Sequence, residues 1–464
     1  MKLVFASSET EAAVARVVGI AREAGGRALL VGGTVRDTLL GLPAREIDVE
    51  VFGIPPHRLL EILGAHFTLD LVGKAFGVVK LRDHPIDVSI PRRESKRGLG
   101  HKGFEIRSDP DLTPEEAALR RDFTINAVAF DPLTGERIDP LGGARDLEAR
   151  ILRHAGPQFA EDPLRVLRAM QLAARFDLAV AKETVALCST LDLEELPRER
   201  IFEEWKKLLL LGKRPSLGLA FLREAAWIRF FPELAALIGC PQDPEWHPEG
   251  DVWIHTLHCM DAFAGERIGD ALEDLVVGFG VLCHDLGKPS TTVSEGGRIR
   301  SPGHEPGGLE PTRRFLARLT DRRDLFEAVL PLVRHHLRPD ELYRTEAGDA
   351  AVRRLARSAG RIDRLVRVAR ADRMGRPPLP FDGFPAGTWL LERAEALAVK
   401  DAVPRPLVMG RHLIALGLEP GPRFREILDR CYEAQLDGTF DDPDGGVRYV
   451  RNLLGLPDGF ESER

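Results

Sequence analysis

Residues 31–48 read VGGTVRDTLLGLPAREID, and this stretch decides the fold of the first part of the chain. Its double glycine, Gly32 and Gly33, comes directly after the short apolar run 28–31. Because glycine has no Cβ atom, a turn from a strand into a helix here lets backbone N–H groups approach a phosphate closely. A tight turn without any ligand is the commoner explanation of two glycines alone. The neighbouring residues are needed to distinguish a phosphate-binding turn from a purely structural one.

Acidic residues follow on the next predicted strand, residues 47–52, where apolar and acidic side chains alternate. Glu46, Asp48 and Glu50 are two residues apart, so we expect them to share one face of that strand. Like charges repel, and such a cluster suits either a solvated face or a cation site. Asp87, on a later apolar run, adds another carboxylate. Two or three such oxygens together with nucleotide phosphates suit Mg²⁺.

The same stretch resembles the signature of the polymerase-beta-like nucleotidyltransferases, specifically the bacterial tRNA nucleotidyltransferase/poly(A) polymerase family of class II. That signature has Gly-Gly, then Arg-Asp, here beginning at Arg36, and then an Asp-x-Asp metal pair. In this chain Glu46 replaces the first aspartate and Asp48 matches the second. The resemblance therefore implies that Glu46 and Asp48 hold Mg²⁺, with Asp87 as the third catalytic carboxylate.

Residues 120–127, RRDFTINA, resemble a family segment that contacts the ribose of the incoming nucleotide, and residues 139–147 follow in the family's order. The resemblance implies nucleotide binding by residues of the glycine turn and of this segment, namely Gly32, Gly33, Arg36, Arg121, Asp122 and Asn126.

Residues 161–165, EDPLR, resemble the family motif whose Asp and Arg act as a protein template for the incoming base. With Pro163 as an early helical residue, Asp162 and Arg165 are expected to share one helix face. The carboxylate can accept from a base amino group, and the guanidinium can donate to a ring nitrogen or carbonyl. An N-capping Asp with an i,i+3 salt bridge is the structural alternative for this motif alone.

Residues 92–103 are basic, rich in glycine and without periodicity, so we expect a mobile loop. The resemblance implies that this loop helps to switch specificity from C to A; a plain surface loop is the alternative. A second basic stretch, residues 353–376, has nine arginines and only two aspartates. Arg353, Arg357, Arg361 and Arg364 have the spacing of one helix face, which suits either a phosphate backbone or a solvated surface.

A histidine-rich segment precedes that stretch. The apolar run 276–283 predicts a helix that ends at His284 and Asp285, and a buried pair of this kind is costly unless it is partnered or binds metal. The pattern resembles the HD superfamily of metal-dependent phosphohydrolases, whose ligands come in the order H…HD…D. A module that keeps this fold without its chemistry is the alternative.

The HD resemblance implies the metal ligands His255, His284, Asp285 and Asp372. His304 and either His335 or His336 are candidates for a second ion, and Lys288 is near enough to stabilise charge. Imidazole with carboxylate suits a transition metal such as Ni²⁺, Mn²⁺ or Co²⁺ better than Mg²⁺.

Composition limits the remaining choices. The 464 residues are 44% hydrophobic and 30% charged, and the net charge of −7 excludes a cationic coat over the whole surface. The start of the chain lacks the pattern of a secretory signal, and the longest apolar run is far below the ~20 residues that span a bilayer. The five cysteines form no CxxC pair, which argues against disulfides or a thiolate zinc site. We therefore expect a cytoplasmic enzyme without membrane contact.

The predicted fold class is α+β, with a small polymerase-beta-like α/β head followed by a mostly helical neck, body and HD domain. The predicted domains are a nucleotidyltransferase head (1–150), a helical neck and body for base recognition and RNA binding (151–245), an HD phosphohydrolase (246–378) and a helical tail (379–464).

The family resemblance implies an enzyme that adds or repairs the 3′-terminal CCA of tRNA from CTP and ATP. Its HD domain is expected to be a metal-dependent phosphodiesterase or phosphatase. A poly(A) polymerase, an enzyme that adds only CC or only A, and a non-catalytic RNA-binding protein are the alternatives. The sequence does not define the oligomeric state.

Overall fold

The computed structural model describes residue 5 and residues 7–44, 46–70, 78–96, 104–193 and 196–456. The chain separates into two compact units, residues 1–230 and residues 231–464. The finer division into four domains stays a prediction. Within the part of the chain that the structure describes, the helices lack the length and apolar content needed to cross a membrane.

The first unit combines an antiparallel-rich sheet with helices. Its strands are β1 Arg27–Val31, β2 Ile47–Phe52, β3 Leu69–Asp70, β4 Val78–Leu81, β5 Ile86–Ser89, β6 Arg92–Lys96, β7 Phe104–Ser108, β8 Ala129–Phe130, β9 Arg137–Ile138, β10 Ile151–Leu152 and β11 Ala179–Val180. Its helices are α1 Ser8–Glu23, α2 Gly33–Leu39, α3 Pro56–Gly64, α4 Pro114–Ala118, α5 Gly143–Glu148, α6 Leu164–Phe176, α7 Lys182–Ser189, α8 Arg198–Leu211 and α9 Pro215–Glu224.

Seven of these strands form one sheet in the order β3-β4-β5-β2-β1-β8-β9. The predicted alternation along β2 is confirmed, because Ile47, Val49 and Val51 are buried in the core of the unit while Asp48 and Glu50 are partly exposed. An apolar face of period two must pack against a core, and α1 and α3 supply part of that core.

The glycine turn brings helix α2 against the start of β2. Gly32 has a left-handed φ of +66°, and a Cβ at this position would lie 2.9 Å from an Asp48 carboxylate oxygen. Thr34, in the first turn of α2, accepts a hydrogen bond from the Asp48 backbone N–H at 2.8 Å and donates to the Glu46 carbonyl at 3.3 Å. Both contacts fix Asp48 next to the turn.

A 3₁₀ turn at Thr124–Asn126 precedes the two-residue strand β8. One local prediction for the first unit needs correction. The predicted loop 92–103 begins with β6, which pairs antiparallel with β7 as a hairpin. Hydrogen bonds between β6 and β7 form this hairpin, and a strand of only five residues is too short to show a period in the sequence. Residues 97–103 lie outside the described residues.

The second unit is almost wholly helical. Its helices are α10 Pro232–Ala235, α11 Val252–Gly265, α12 Ala271–Cys283, α13 Lys288–Thr291, α14 His304–Gly307, α15 Leu309–Leu319, α16 Arg323–His335, α17 Arg338–Arg344, α18 Asp349–Ala359, α19 Ile362–Met374, α20 Pro385–Ala396, α21 Gly410–Ala415, α22 Pro422–Leu436 and α23 Pro443–Leu454, with a hairpin of β12 Val293–Glu295 and β13 Arg298–Arg300.

Helix α12 is the centre of the second unit, as its continuous apolar sequence predicts. All residues from 274 to 283 are buried, and the helix packs against α11, α16 and α19. The end of α12 therefore lies inside the unit, where its last turn meets these three helices.

The prediction of a single arginine face in residues 353–376 is wrong. Helix α18 ends at Ala359 and α19 begins at Ile362, so the four arginines of the pattern belong to two helices. Gly360, with a φ of +76°, separates them. Several of the arginines are also ion-paired: Arg364 binds Glu273 at 2.7 Å, and Arg370 binds Glu266 at 2.6 Å.

Candidate functional site

Strand register places the predicted catalytic carboxylates of the head in one row. Asp48 on β2 is paired with Asp87 on the parallel neighbour β5, and Asp87 is paired with Lys80 on β4. Lys80 Nζ lies 2.6 Å from an Asp87 carboxylate oxygen. On the other side, Arg121 donates to Glu50 at 2.9 Å. The two neighbouring aspartates thus have a cationic side chain on one side and an Arg–Glu pair on the other.

The two aspartates border a pocket of about 250 Å³. The side chains that line it include Asp48, Asp87, Glu50, Ser89, Arg92, Arg120 and Arg121. A pocket that combines carboxylates with guanidinium groups can hold a cation and a polyanion next to each other. The predicted residues Asp48, Asp87 and Arg121 are therefore brought together.

Opposing effects act on the pKa of the Asp48 carboxyl group. Burial raises its pKa, the nearby Arg121 guanidinium acts in the opposite direction, and the charges of Asp87 and Glu46 raise the pKa further. The net pKa lies above the ordinary value for aspartate. A bound cation would remove this penalty, because it neutralises the like charges directly.

Glu46 differs from the other two carboxylates. It is exposed and lies just before β2, so the sheet does not fix its backbone as it fixes Asp48. Among the described residues, the head carboxylates do not form a group of three whose donor atoms all lie within 4.8 Å of one another. They fit a cation that takes its remaining ligands from phosphate oxygens and water.

Three predicted nucleotide-binding residues form a buried network instead of lining the pocket. Arg36 donates to Asn126 at 2.8 Å, Asn126 donates to Asp122 at 2.9 Å, and Asp122 accepts from Arg168 on α6 at 2.8 Å. Burial opposes the ionised carboxylate, but Arg168 and Asn126 lower the pKa of Asp122 to about 2. The network ties the glycine turn to α6, and direct nucleotide contacts of its members stay a prediction.

The template pair differs in geometry from the predicted helix face. Asp162 has extended backbone and precedes α6, whose first residue is Leu164. Asp162 accepts from the Leu164 N–H at 3.1 Å, as a capping residue does, and from Arg200 of α8 at 2.8 Å. Arg165 donates to the Gln158 carbonyl at 2.7 Å. Of the structural alternative, the capping contact is present, whereas the i,i+3 salt bridge is absent from these contacts and each partner is held separately.

In the second unit, the ends of several helices bring the predicted metal ligands together. The histidines and aspartates come from α11, from the ends of α12 and α16, from the start of α14 and from α19: His255, His284, Asp285, His304, His336 and Asp372. All six are buried, although isolated buried histidines and carboxylates are expensive. The alternative between residues 335 and 336 is resolved in favour of His336, which faces Asp285.

Backbone contacts orient the imidazole rings. His284, His304 and His336 each place Nδ1 against the carbonyl of the residue three positions earlier, at 2.7, 2.8 and 2.8 Å. A carbonyl can only accept, so Nδ1 carries the proton and the Nε2 lone pair is directed to the centre. Burial lowers the pKa of His336 to about 3, which keeps that ring neutral. Neutral imidazoles fixed in this way are the usual metal ligands.

Asp285 is the centre of the cluster. One of its oxygens lies 3.2 Å from His284 Nε2, and the other lies 3.5 Å from His304 Nε2. Neither oxygen, nor His284 Nε2, has a hydrogen-bond partner of good geometry, although all are buried. Burial opposes ionisation of Asp285, whereas the Lys288 ammonium, 2.7 Å away, favours it. Buried, unsatisfied donor atoms of this kind fit a bound metal cation.

Sequence reasoning missed four residues that act on these sites. Arg200 contacts Asp162, Glu249 contacts His255 at 2.7 Å, His247 contacts Glu249 at 2.8 Å, and Cys259 Sγ lies 3.3 Å from His255 Nε2. For Cys259 a signal was present, because His255 and Cys259 are four residues apart on one helix and must share a face. The other three contacts depend on loops or distant helices.

The chain is similar to known proteins over most of its length. Residues 28–153 match the family described as "Poly A polymerase head domain". The chain is 38% identical over 413 residues to a multifunctional CCA protein of Xanthomonas campestris pv. campestris (strain B100), covering 86% of this chain and 95% of that protein. It is 41% identical over 378 residues to one of Stenotrophomonas maltophilia (strain K279a), covering 78% and 89%.

Among solved structures, the CCA-adding enzyme of Bacillus stearothermophilus in complex with CTP has a similar fold. The TM-score is 0.65 at 23% identity, over 97% of this chain and 98% of that one. The head is of the poly(A) polymerase type, and the similarity of fold confirms the predicted fold class. The relatives of 38–41% identity show a nucleotidyltransferase. The chain belongs to the family of the multifunctional CCA proteins.

The buried network gives a stability prediction. We expect Arg168→Met to destabilise the first unit by about 3–5 kcal/mol, because it leaves the Asp122 carboxylate buried without its cation. The double variant Arg168→Met/Asp122→Asn should recover part of that loss, since Asn126 can still donate to an amide oxygen. Urea unfolding followed by circular dichroism measures both; equal losses in the single and double variants would contradict the charge argument.

Proposed function

We propose that the head adds or repairs the 3′-terminal CCA of tRNA, using CTP and ATP and releasing pyrophosphate. The observation that carries this proposal is the row of Asp48 and Asp87 beside Arg121, in a chain that resembles multifunctional CCA proteins over most of its length. The reaction joins the 3′-hydroxyl of the RNA to the α-phosphate of the nucleotide. A cytoplasmic location stays a prediction.

The residues of the pocket have separate tasks in this proposal. Mg²⁺ held by Glu46, Asp48 and Asp87 would favour ionisation of the hydroxyl and carry charge of the leaving pyrophosphate. Arg121, held in place by Glu50, supplies a fixed positive charge toward the triphosphate. Gly32 leaves the space beside Asp48 free of a side chain.

Base selection is assigned to Asp162 and Arg165, which are held before and within α6. Each Asp162 oxygen already accepts one hydrogen bond, from the Leu164 N–H or from Arg200, and these two contacts set the orientation in which a remaining lone pair can accept from a base amino group. Arg165 is anchored at the Gln158 carbonyl and retains further N–H groups for a ring nitrogen or carbonyl. Arg200 is therefore a positioning residue for the template.

A poly(A) polymerase, a CC-only or A-only enzyme and a non-catalytic RNA-binding protein are the rivals. Incubation with a tRNA lacking its CCA end, with Mg²⁺ and each labelled nucleotide in turn, separates them by the length and composition of the added tail. Long A tails, partial tails or no addition would each replace the proposal by the corresponding rival.

The first test concerns the carboxylate row. We expect Asp48→Asn to lower nucleotide addition by roughly 10³-fold, because several kcal/mol of charge stabilisation are lost. Glu46→Asp should retain or raise activity, and the exposed Glu61→Gln on α3 is the matched control. The rate of CMP incorporation measures the effect; a loss of less than tenfold in Asp48→Asn would remove Asp48 from the site.

The second test concerns the template. Arg200→Ala should weaken discrimination of CTP and ATP against UTP by about 1–3 kcal/mol, since Asp162 loses the contact that orients it. Lys206→Ala, an exposed residue of the same helix, is the control. The ratio of kcat/KM values for the nucleotides is the readout. Unchanged ratios in Arg200→Ala would show that Asp162 acts only as a helix cap.

We further propose that the histidine cluster is an HD-type site that hydrolyses a 2′,3′-cyclic phosphate or a related phosphoester. A transition metal such as Ni²⁺, Mn²⁺ or Co²⁺, held by His255, His284, Asp285 and Asp372, would supply an activated water. Asp285 turns its second oxygen to His304 and His336, which supports room for a second ion. Lys288, 2.7 Å from Asp285, supplies a positive charge beside the site.

The third test separates the two chemistries. Asp285→Asn should reduce hydrolysis of 2′,3′-cyclic nucleotides by roughly 10³-fold, while addition of CMP and AMP persists because every head carboxylate is intact. The exposed Asp324→Asn is the control. Absence of metal-stimulated hydrolysis in the wild type would make the cluster structural, and loss of nucleotide addition in folded Asp285→Asn would refute the separation.

A further inference from the structure

Helix α11 carries a cysteine one turn after the first histidine of the cluster. Cys259 and His255 are four residues apart, so their side chains lie on the same face of the helix. Cys259 is fully buried, and its Sγ lies 3.3 Å from His255 Nε2. This is the ring nitrogen that faces the cluster, since His255 Nδ1 contacts Glu249 at 2.7 Å and the Gly375 carbonyl at 3.1 Å.

The backbone at the end of α19 is shaped to admit this side chain. A Cβ at Gly375 would collide with Cys259 Sγ and would also come within 3.1 Å of the Cys259 backbone. Glycine at 375 therefore allows α11 and α19 to approach closely, which brings Cys259 next to Asp372. A small apolar residue could fill this contact too, so packing alone does not explain a thiol.

The donor set around Cys259 points to a ligand. His255, Cys259, His284 and Asp372 each offer one donor atom, and the four atoms lie within 4.8 Å of one another. His284 Nε2 is buried without a hydrogen-bond partner, although its Nδ1 is satisfied by the Val281 carbonyl. A buried, unpartnered lone pair within 4.8 Å of a thiol and a carboxylate needs a positive partner.

The spacing of these atoms suits donors to one ion. Bond lengths of ~2.0–2.3 Å place neighbouring donor atoms about 2.8–3.6 Å apart, from octahedral to tetrahedral angles, which leaves room for Asp285 and a water among the ligands. His255 Nε2 lies 3.2 Å from Asp372 and 3.3 Å from Cys259 Sγ, close to that separation. Two imidazole nitrogens, one sulfur and one carboxylate oxygen are a donor set typical of Zn²⁺ or Co²⁺.

We propose that Cys259 is a metal ligand of this chain, acting as a thiolate beside His255, His284 and Asp372. The inference rests on the proposed metal-binding role of the cluster and adds a donor that the H…HD…D pattern does not contain. On binding, the sulfur–metal bond forms as the thiol proton is released to water, and no redox step is involved. A soft sulfur donor favours Zn²⁺ and Co²⁺ over Mn²⁺ and Mg²⁺.

Cobalt spectroscopy of the full-length protein tests the proposal. The protein is made metal-free by chelation and titrated with Co²⁺ under reducing, anaerobic conditions. Visible d–d bands report cobalt in a low-symmetry site, and a near-ultraviolet charge-transfer band reports a thiolate ligand. We expect both in the wild type. Cys259→Ser should lose the charge-transfer band and bind Co²⁺ at least about tenfold more weakly.

Matched variants keep the outcomes separate. Cys431→Ser, a buried cysteine of the same unit, should behave as the wild type, and circular dichroism checks that each variant is folded. A charge-transfer band that persists in Cys259→Ser, or wild-type d–d bands without it, overturns the thiolate ligand alone. Wild-type protein that binds no Co²⁺, or a spectrum unchanged by His284→Ala, overturns the metal centre and the thiolate together.

Discussion

Buried carboxylates need a compensating positive charge, and this constraint organises both units of the protein. In the head, Arg121 lies against Glu50 and near Asp48, and Arg168 binds Asp122. In the helical unit, Lys288 binds Asp285 and Arg376 binds Asp372 at 2.7 Å. Both Asp285 oxygens still lack a hydrogen-bond partner of good geometry, so the helical site retains negative charge for a cation. The same ion pairs that allow folding thus leave the sites ready for metal.

The arginine-rich stretch shows the same constraint at work away from the sites. Arg364, Arg367 and Arg370 recur every three residues along α19 and contact acidic residues that lie 91, 93 and 104 residues earlier in the chain. These pairs hold α19 against α12 and the end of α11. Partly buried pairs that link separate helices fix their relative orientation, whereas a solvated basic face would not. The stretch therefore serves the packing of the unit, and RNA contacts from these three arginines would compete with it.

The sequence predicts those features that arise from local spacing. Alternation along β2 places Asp48 on the open face of the sheet, and the apolar run before His284 predicts the buried helix that ends there. Both predictions follow from a single period and from the cost of exposing apolar surface. The register that pairs Asp48 with Asp87 does not, since it depends on a parallel neighbour almost forty residues away.

The residues that sequence reasoning missed share one physical reason. Arg200 and Glu249 act through contacts between elements, and their spacing to Asp162 or His255 follows no helical or strand period. Cys259 is different, because its spacing to His255 is helical, although a search for CxxC pairs does not detect such a cysteine. A metal site assembled from several helices can take a single cysteine and complete its ligands with residues from other helices. Pairwise cysteine motifs are therefore a poor guide to thiolates in mixed-donor sites.

The two sites differ in donor chemistry, and that difference is sufficient for one chain to use two ions. The described contacts of the head site involve oxygen donors on a partly open face of the sheet, which suit a hard, hydrated cation such as Mg²⁺. The cluster offers imidazole nitrogens and a sulfur in a buried space, which suit a borderline transition metal. Under the proposed assignment the head would select Mg²⁺ by offering only carboxylates and bound phosphate, since affinity alone would favour the transition metal at both places. Selectivity between metal ions would then depend on the packing of helices and strands, because this packing determines which donor atoms face one another.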